Sequence, residues 1–174
     1  MEDKEILKQI SDEKNNFGTC AKFAGAVTVE IIKEALEKHG ISTSPRDVFI
    51  KGIPIEIDLL IPKRGVLPKH GILYEPQDVL VVLEIKNRGS FGQTTIDNIK
   101  RNFRKIHKEN KKIYCAYLTL SERKGFRDAV TRENAGCDSY TLFWHSGSGK
   151  NFENYPTDDW QKLSEKLNEI IQRG

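Results

Sequence analysis

The sequence predicts an α/β protein with a mixed central β-sheet and helices on both of its faces. Three observations point there. Short apolar runs rich in Val, Ile and Leu, bounded by Gly, Pro, Asp or Ser, have strand length. Helical periodicity fills most of the gaps between them. The run from Val79 to Lys86 is almost continuously apolar, as in a strand covered on both sides. At 174 residues and 37% hydrophobic, the chain can bury one core, so a single domain over 1–174 is expected.

Taken in order, residues 2–14 read as a short polar helix. After "NNFG" a longer helix runs from about Cys20 to His39 and stops at Gly40, the usual residue just past a helix end. "ISTSPRD" breaks that pattern. "VFIKGIPIEIDLLIP" reads as a strand, a Gly-Ile-Pro turn and a second strand, with Ile55, Ile57, Leu59 and Ile61 on one face and Glu56 and Asp58 on the other. A long loop over Pro62–Gln77 leads into the strand Val79–Lys86, and "NRGSFG" turns the chain into a helix from about Thr95 to Asn110. "KIYCAYLTL" is the next strand. Ser121 then caps a helix through about Glu133, "SYTLFW" is a last strand, and Asp158–Gln172 a closing helix. The first three strands are linked tightly enough to be antiparallel. The fourth follows a helical crossover, which permits a parallel neighbour.

Composition excludes several classes. Charged residues make up 30% of the chain with both signs mixed, and the net charge is +3, unlike a disordered tail or a histone-like polycation. Cys20, Cys115 and Cys137 lack zinc-site spacing and are odd in number, so they read as small core hydrophobes in a reducing, cytoplasmic setting. No apolar run reaches membrane-spanning length, and the start does not read as a secretion signal.

The stretch "VVLEIKNRG" carries the chemistry. A strand buried on both faces has no reason to hold Glu84 and Lys86 unless the charges are paired or bound to an ion. The two project from one face about 7 Å apart along the strand. If the loop over Pro62–Gln77 returns the chain alongside the preceding strand, Asp58 sits opposite Glu84 on that face. Two carboxylates with the Ile85 carbonyl between them suit Mg²⁺, with Mn²⁺ as a substitute. The Lys86 amine can then hold a water or steady a developing phosphorane charge. Asp78 fails as a rival because it lies six residues before Glu84 on the same strand, roughly 20 Å away.

An aspartate, a long gap and E-x-K on a strand is similar to the PD-(D/E)XK nuclease superfamily. Asp58 in "IEIDLLIP" and Glu84 with Lys86 in "VVLEIKNRG" carry the resemblance, which covers roughly residues 19–120. It implies a restriction endonuclease-like core, α-β-β-β-α-β, here followed by an extra C-terminal helix-strand-helix. Ile57 stands where the motif has proline, and 26 residues separate Asp58 from Glu84. The resemblance implies metal-dependent hydrolysis of DNA with Asp58, Glu84 and Lys86 as catalytic residues. Many members also use a glutamate of the first helix, which would be Glu30. The helical wheel, however, sets Glu30 on the solvated side with Lys33 and Glu37, away from Val27, Ile31, Ala35 and Leu36. Glu56 shares a face with Asp58 and is a candidate support for the metal ligands, against an exposed strand position.

Nucleic-acid binding has its own signal. From Asp97 to Lys112 seven cations face two carboxylates, +5 locally, which leaves −2 for the rest of the chain. Ile96, Ile99, Phe103 and Ile106 recur at helical spacing and would pack on the sheet. Lys100, Arg101, Arg104, Lys105 and Lys108 are then an outward stripe for DNA phosphates, or simply a solvated face. In the long loop, Lys63, Arg64, Lys69 and His70 could add contacts, and Val66, Leu67, Ile72, Leu73 and Tyr74 equally fit a packed arm or a dimer contact. "GSGK" at 147–150 lacks the first glycine and the Ser/Thr of a phosphate-binding loop, and His107 and His145 have no partner at metal spacing.

The expectation is a Mg²⁺-dependent endonuclease of the restriction or repair type, or a Holliday-junction resolvase, acting on DNA and dimeric if it cuts both strands. The alternative is a catalytically silent nucleic-acid-binding or assembly module on the same fold, in which Asp58, Glu84 and Lys86 form a structural ion pair.

Overall fold

A computed structural model of the protein describes residues 5, 8–10, 12, 24–88, 93–123, 137–146 and 153–174. Ahead of residue 24 the five described residues are all helical, in line with a helix over 2–14, and Ile10 is buried in the core. Helix α1, Ala24–Lys38, buries Val29, Ile32 and Leu36 at spacings of three and four. Its end is closed as glycine allows: Gly40 has φ +82°, its N–H donates to the Glu37 carbonyl, and the Ile41 N–H donates to the Leu36 carbonyl.

The main sheet has the order β2-β4-β5-β6-β7, with β2 Leu59–Pro62, β4 Val79–Arg88, β5 Tyr114–Arg123, β6 Asp138–Ser146 and β7 Glu153–Pro156. β2 is antiparallel to β4, β5 is parallel to β4 and to β6, and β7 is antiparallel to β6. Helix α2, Gln93–Glu109, makes the crossover from β4 to β5, and helix α3, Asp159–Arg173, closes the chain. Each sheet face has its own apolar layer. Leu59, Ile61, Val81, Leu83 and Ile85 face α1 and the Trp160, Leu163 and Leu167 side of α3. Leu60, Val82, Cys115 and Tyr117 face the Ile99, Phe103 and Ile106 side of α2. The mixed sheet with helices on both faces is as the sequence predicts.

Several elements differ from expectation. The first predicted strand shrinks to β1, Phe49–Ile50, and does not join the main sheet. It pairs in parallel with β3, Leu73–Tyr74, inside the segment expected to be a plain loop. The alternation Ile55, Ile57, Leu59, Ile61 does not keep one face. Ile55 and Ile57 pack with the α2 layer, whereas Leu59 and Ile61 pack with the α1 layer, because the chain bends at Asp58. Ser121 is not a helix cap: it lies inside β5, buried, with its hydroxyl 2.9 Å from His145 Nδ1. The helix expected to follow it lies largely outside the described residues, as do "GSGK" and Cys20. β7 was not expected at all. No helix among the described residues is long and apolar enough to cross a membrane.

Candidate active site

The site forms where β2 leaves the sheet. Leu59 pairs with Leu83, so one further step of the antiparallel register sets Asp58 opposite Glu84. At that step the backbone bends away. Ile57 exchanges hydrogen bonds with Val48 instead, at 3.0 and 2.8 Å, and no longer runs beside β4. The Ile85 N–H would lose its ladder partner here, and the Asp58 carboxylate takes the place of a main-chain carbonyl, with Oδ2 accepting from Ile85 N at 2.7 Å. The same oxygen lies 3.4 Å from Lys86 Nζ, which is itself 2.7 Å from Glu84 Oε1. Asp58, Glu84 and Lys86 are thus gathered into one cluster on the α2 face of the sheet.

The electrostatics of the cluster are uneven. Burial, and then the charge of Asp58, raise the Glu84 pKa above its ordinary value, with Lys86 opposing the shift. Burial works against the Lys86 ammonium, but Glu84 and Asp58 outweigh it and hold its pKa above the ordinary lysine value. The two carboxylates therefore favour the protonated form of Lys86, which can donate hydrogen bonds. Two carboxylates against one ammonium leave a net negative charge in a half-buried place, and hard oxygen donors of that kind fit a divalent cation that keeps several of its waters. Among the described residues no group of three or more His, Cys, Asp and Glu side chains is gathered for a metal, so such an ion would rest on these two carboxylates, the Ile85 carbonyl and solvent.

A cleft of about 420 Å³ opens beside the cluster. Glu84, Lys86 and Tyr117 supply its sheet wall, and Thr95, Asn98, Ile99, Arg101 and Asn102 of α2 supply the other. Tyr117 stands next to Glu84 in the β4–β5 register, and burial followed by the Glu84 charge holds its phenol above the usual tyrosine range.

The remaining sequence candidates fall elsewhere. Glu56 is exposed and does not line the cleft. Glu30 is half-exposed and lies 3.6 Å from Arg46 Nε, which also meets Asp47 at 3.4 Å. Asp47 N donates to the Asp58 carbonyl, so Glu30 is linked to the bend through Arg46 but does not touch the carboxylates. Asp78 sits at the start of β4, its carbonyl accepting from Lys63 N, away from Glu84. Arg101, Arg104 and Lys108 are exposed and Lys100 and Lys105 half-buried, and of these five only Arg101 lines the cleft. Sequence reasoning missed Thr95, Asn98, Asn102 and Tyr117. The first three had a signal: neutral polar residues at spacings of three and four form a row between the apolar and basic sides of the helix. Tyr117 had none, since only the strand register sets it beside Glu84.

The fold is shared with solved structures of NucC. The cAAA-bound form from P. aeruginosa superposes with a TM-score of 0.64 at 11% identity over 96% of this chain and 88% of that one. The cAAA-bound form from E. coli gives 0.63 at 12% identity over 96% and 87%, and its apo form 0.56 at 13% over 98% and 89%. No family model matches the sequence, and no curated protein matches it either. At these identities the likeness establishes a nuclease-like α/β fold.

Proposed function

We propose that the protein is a divalent-metal-dependent DNA endonuclease that hydrolyses phosphodiester bonds in the cleft between β4 and α2. The observation that carries this reading is the convergence of Asp58 with Glu84 and Lys86, a pair 26 or more positions farther along the sequence, around one half-buried point with Lys86 Nζ within 3.4 Å of both carboxylates. The nuclease-like fold shared with NucC and the resemblance of the three residues to the PD-(D/E)XK motif support it from independent directions.

In this reading Asp58 and Glu84 hold Mg²⁺ or Mn²⁺ together with the Ile85 carbonyl. A bound ion of that kind supplies positive charge beside the phosphate and a more acidic water. Lys86, kept protonated by the two carboxylates, orients the attacking water and donates to the charge that grows on the phosphate oxygens. Asp58, tied to the Ile85 N–H, stays fixed while Glu84 and Lys86 adjust. The cations of α2, exposed Arg101, Arg104 and Lys108 with half-buried Lys100 and Lys105, draw the DNA backbone toward the cleft. Neither Glu56, which does not line the cleft, nor Glu30, which reaches the bend only through Arg46, is used as a metal ligand in this reading. A homodimer would be needed to cut both strands at once.

The test is purified protein on supercoiled, linear, single-stranded and branched DNA with Mg²⁺, Mn²⁺ or EDTA. Cleavage that needs the metal supports the proposal. Preference for branched substrates selects a resolvase and preference for linear duplex a restriction or repair enzyme. Binding without cleavage in any metal selects the silent module.

A further inference from the structure

Thr95, Asn98 and Asn102 form one row on the first turns of α2, and Arg101 lies beside it on the cleft wall that faces Glu84 and Lys86. Asn98 Oδ1 accepts from Arg101 Nη2 at 2.5 Å, which orients the planar guanidinium and leaves it further N–H donors to offer. The charges of the cleft are matched differently. Lys86 is answered by Glu84 and Asp58, whereas among the described residues no carboxylate pairs with Arg101. A guanidinium held in this way is suited to two oxygens of a phosphate. Farther along the helix, Lys108 is about 10 Å from Arg101 and does not line the cleft.

We infer that Arg101, oriented by Asn98, is a phosphate-binding residue that holds the non-bridging oxygens of the nucleic-acid phosphodiester presented to Glu84 and Lys86. It has a different task from the outer cations of the helix, which attract the backbone without touching the reacting group. This rests on the reading of the cleft as the phosphodiester site.

The experiment separates the two ideas. A 5′-phosphorylated thymidine dinucleotide, titrated in EDTA by calorimetry or ³¹P NMR, reports on the cleft without requiring activity. Arg101→Ala should weaken its binding by about tenfold or more, Arg101→Lys by less, and Arg173→Ala, on the opposite sheet face, should leave it unchanged. On saturating duplex with Mg²⁺, Arg101→Ala should lower turnover by about a hundredfold. Dinucleotide binding by Arg101→Ala equal to the parent's, or no binding by the parent, overturns the inference whatever the cleavage assay gives. Loss of dinucleotide binding in a protein that cleaves nothing upholds the phosphate site and removes the nuclease reading instead.

Discussion

Glu84→Gln keeps the shape of the side chain and removes its charge, so it weighs the electrostatics of the site directly. One contribution is lost: the 2.7 Å contact to Lys86 no longer joins two ions, and because that lysine is 44% exposed the pair is worth about 1 kcal/mol or less. Two costs vanish: holding a carboxylate where only 23% of the side chain meets water, and its repulsion by Asp58. The raised Glu84 pKa says that these costs outweigh the help from Lys86, since a carboxyl pKa above its ordinary value means that the site favours the neutral form. Without metal at pH 8, the variant should therefore be more stable than the parent by roughly 0.5–2 kcal/mol. For a chain of this size that is about 2–4 °C of melting temperature per kcal/mol.

The pH dependence follows from the same shift. Between the ordinary value of 4.5 and the raised native value, the folded parent binds a proton that the unfolded chain releases, so its stability falls as pH rises through that window. Glu84→Gln lacks this slope, and the stability advantage of the variant should fade as both chains are brought to pH 4. Mg²⁺ at a hundredfold excess over its dissociation constant should stabilise the parent by about 2.7 kcal/mol and leave the variant unmoved. Thermal melts by circular dichroism across pH, with Mg²⁺ and with EDTA, read all three effects. A variant less stable by roughly 3–5 kcal/mol, with no Mg²⁺ response in the parent, would refute the reasoning and make the cluster a structural ion pair.

Lys86→Ala should lower turnover by about 10²–10³-fold while duplex binding in EDTA changes less than about twofold, as read by single-turnover cleavage and fluorescence anisotropy. The double change Lys100→Ala with Arg104→Ala should weaken DNA binding equally across sequences and reduce the slope of log affinity against log salt by about 2. Asp159→Ala should cost about 1–3 kcal/mol in a urea titration, because the fully buried Asp159 Oδ2 accepts from Thr141 N at 2.9 Å and its loss strands that N–H.

Legibility in the sequence followed the range of the interactions involved. The helices over α1, α2 and α3 declare themselves through periodicity, and Gly40 marks its helix end, because these are local effects. β4 and its two charges were equally readable, since a charge within an apolar strand conflicts with burial at the level of a few residues. The face of Ile57 was misread because alternation holds only while a strand stays extended, and the bend at Asp58 resets it. β1 was expected as a strand but not its pairing, and β3 escaped altogether, because a two-residue pairing depends on a partner more than twenty residues away rather than on its own pattern. Ser121 resembled a cap, yet its hydroxyl is taken by His145 on the neighbouring strand. Glu30 illustrates the opposite case: its solvated place on the wheel was correct, whereas Arg46, its link to the bend, belongs to another segment.

The hydrogen bond from Ile85 N to Asp58 has a consequence for how the site is lost and regained. Because a side chain closes the last rung between β2 and β4, the geometry of the cluster is a readout of strand register. A two-residue slip would carry Asp58 about 7 Å along β4 and dismantle the site even if both strands stayed paired. Local fraying that frees Asp58 would also expose the Ile85 amide. The exchange rate of that one hydrogen with solvent deuterium is therefore a clock for site assembly, and its slowing on addition of divalent ion would time the moment when the sheet and the chemistry become a single unit.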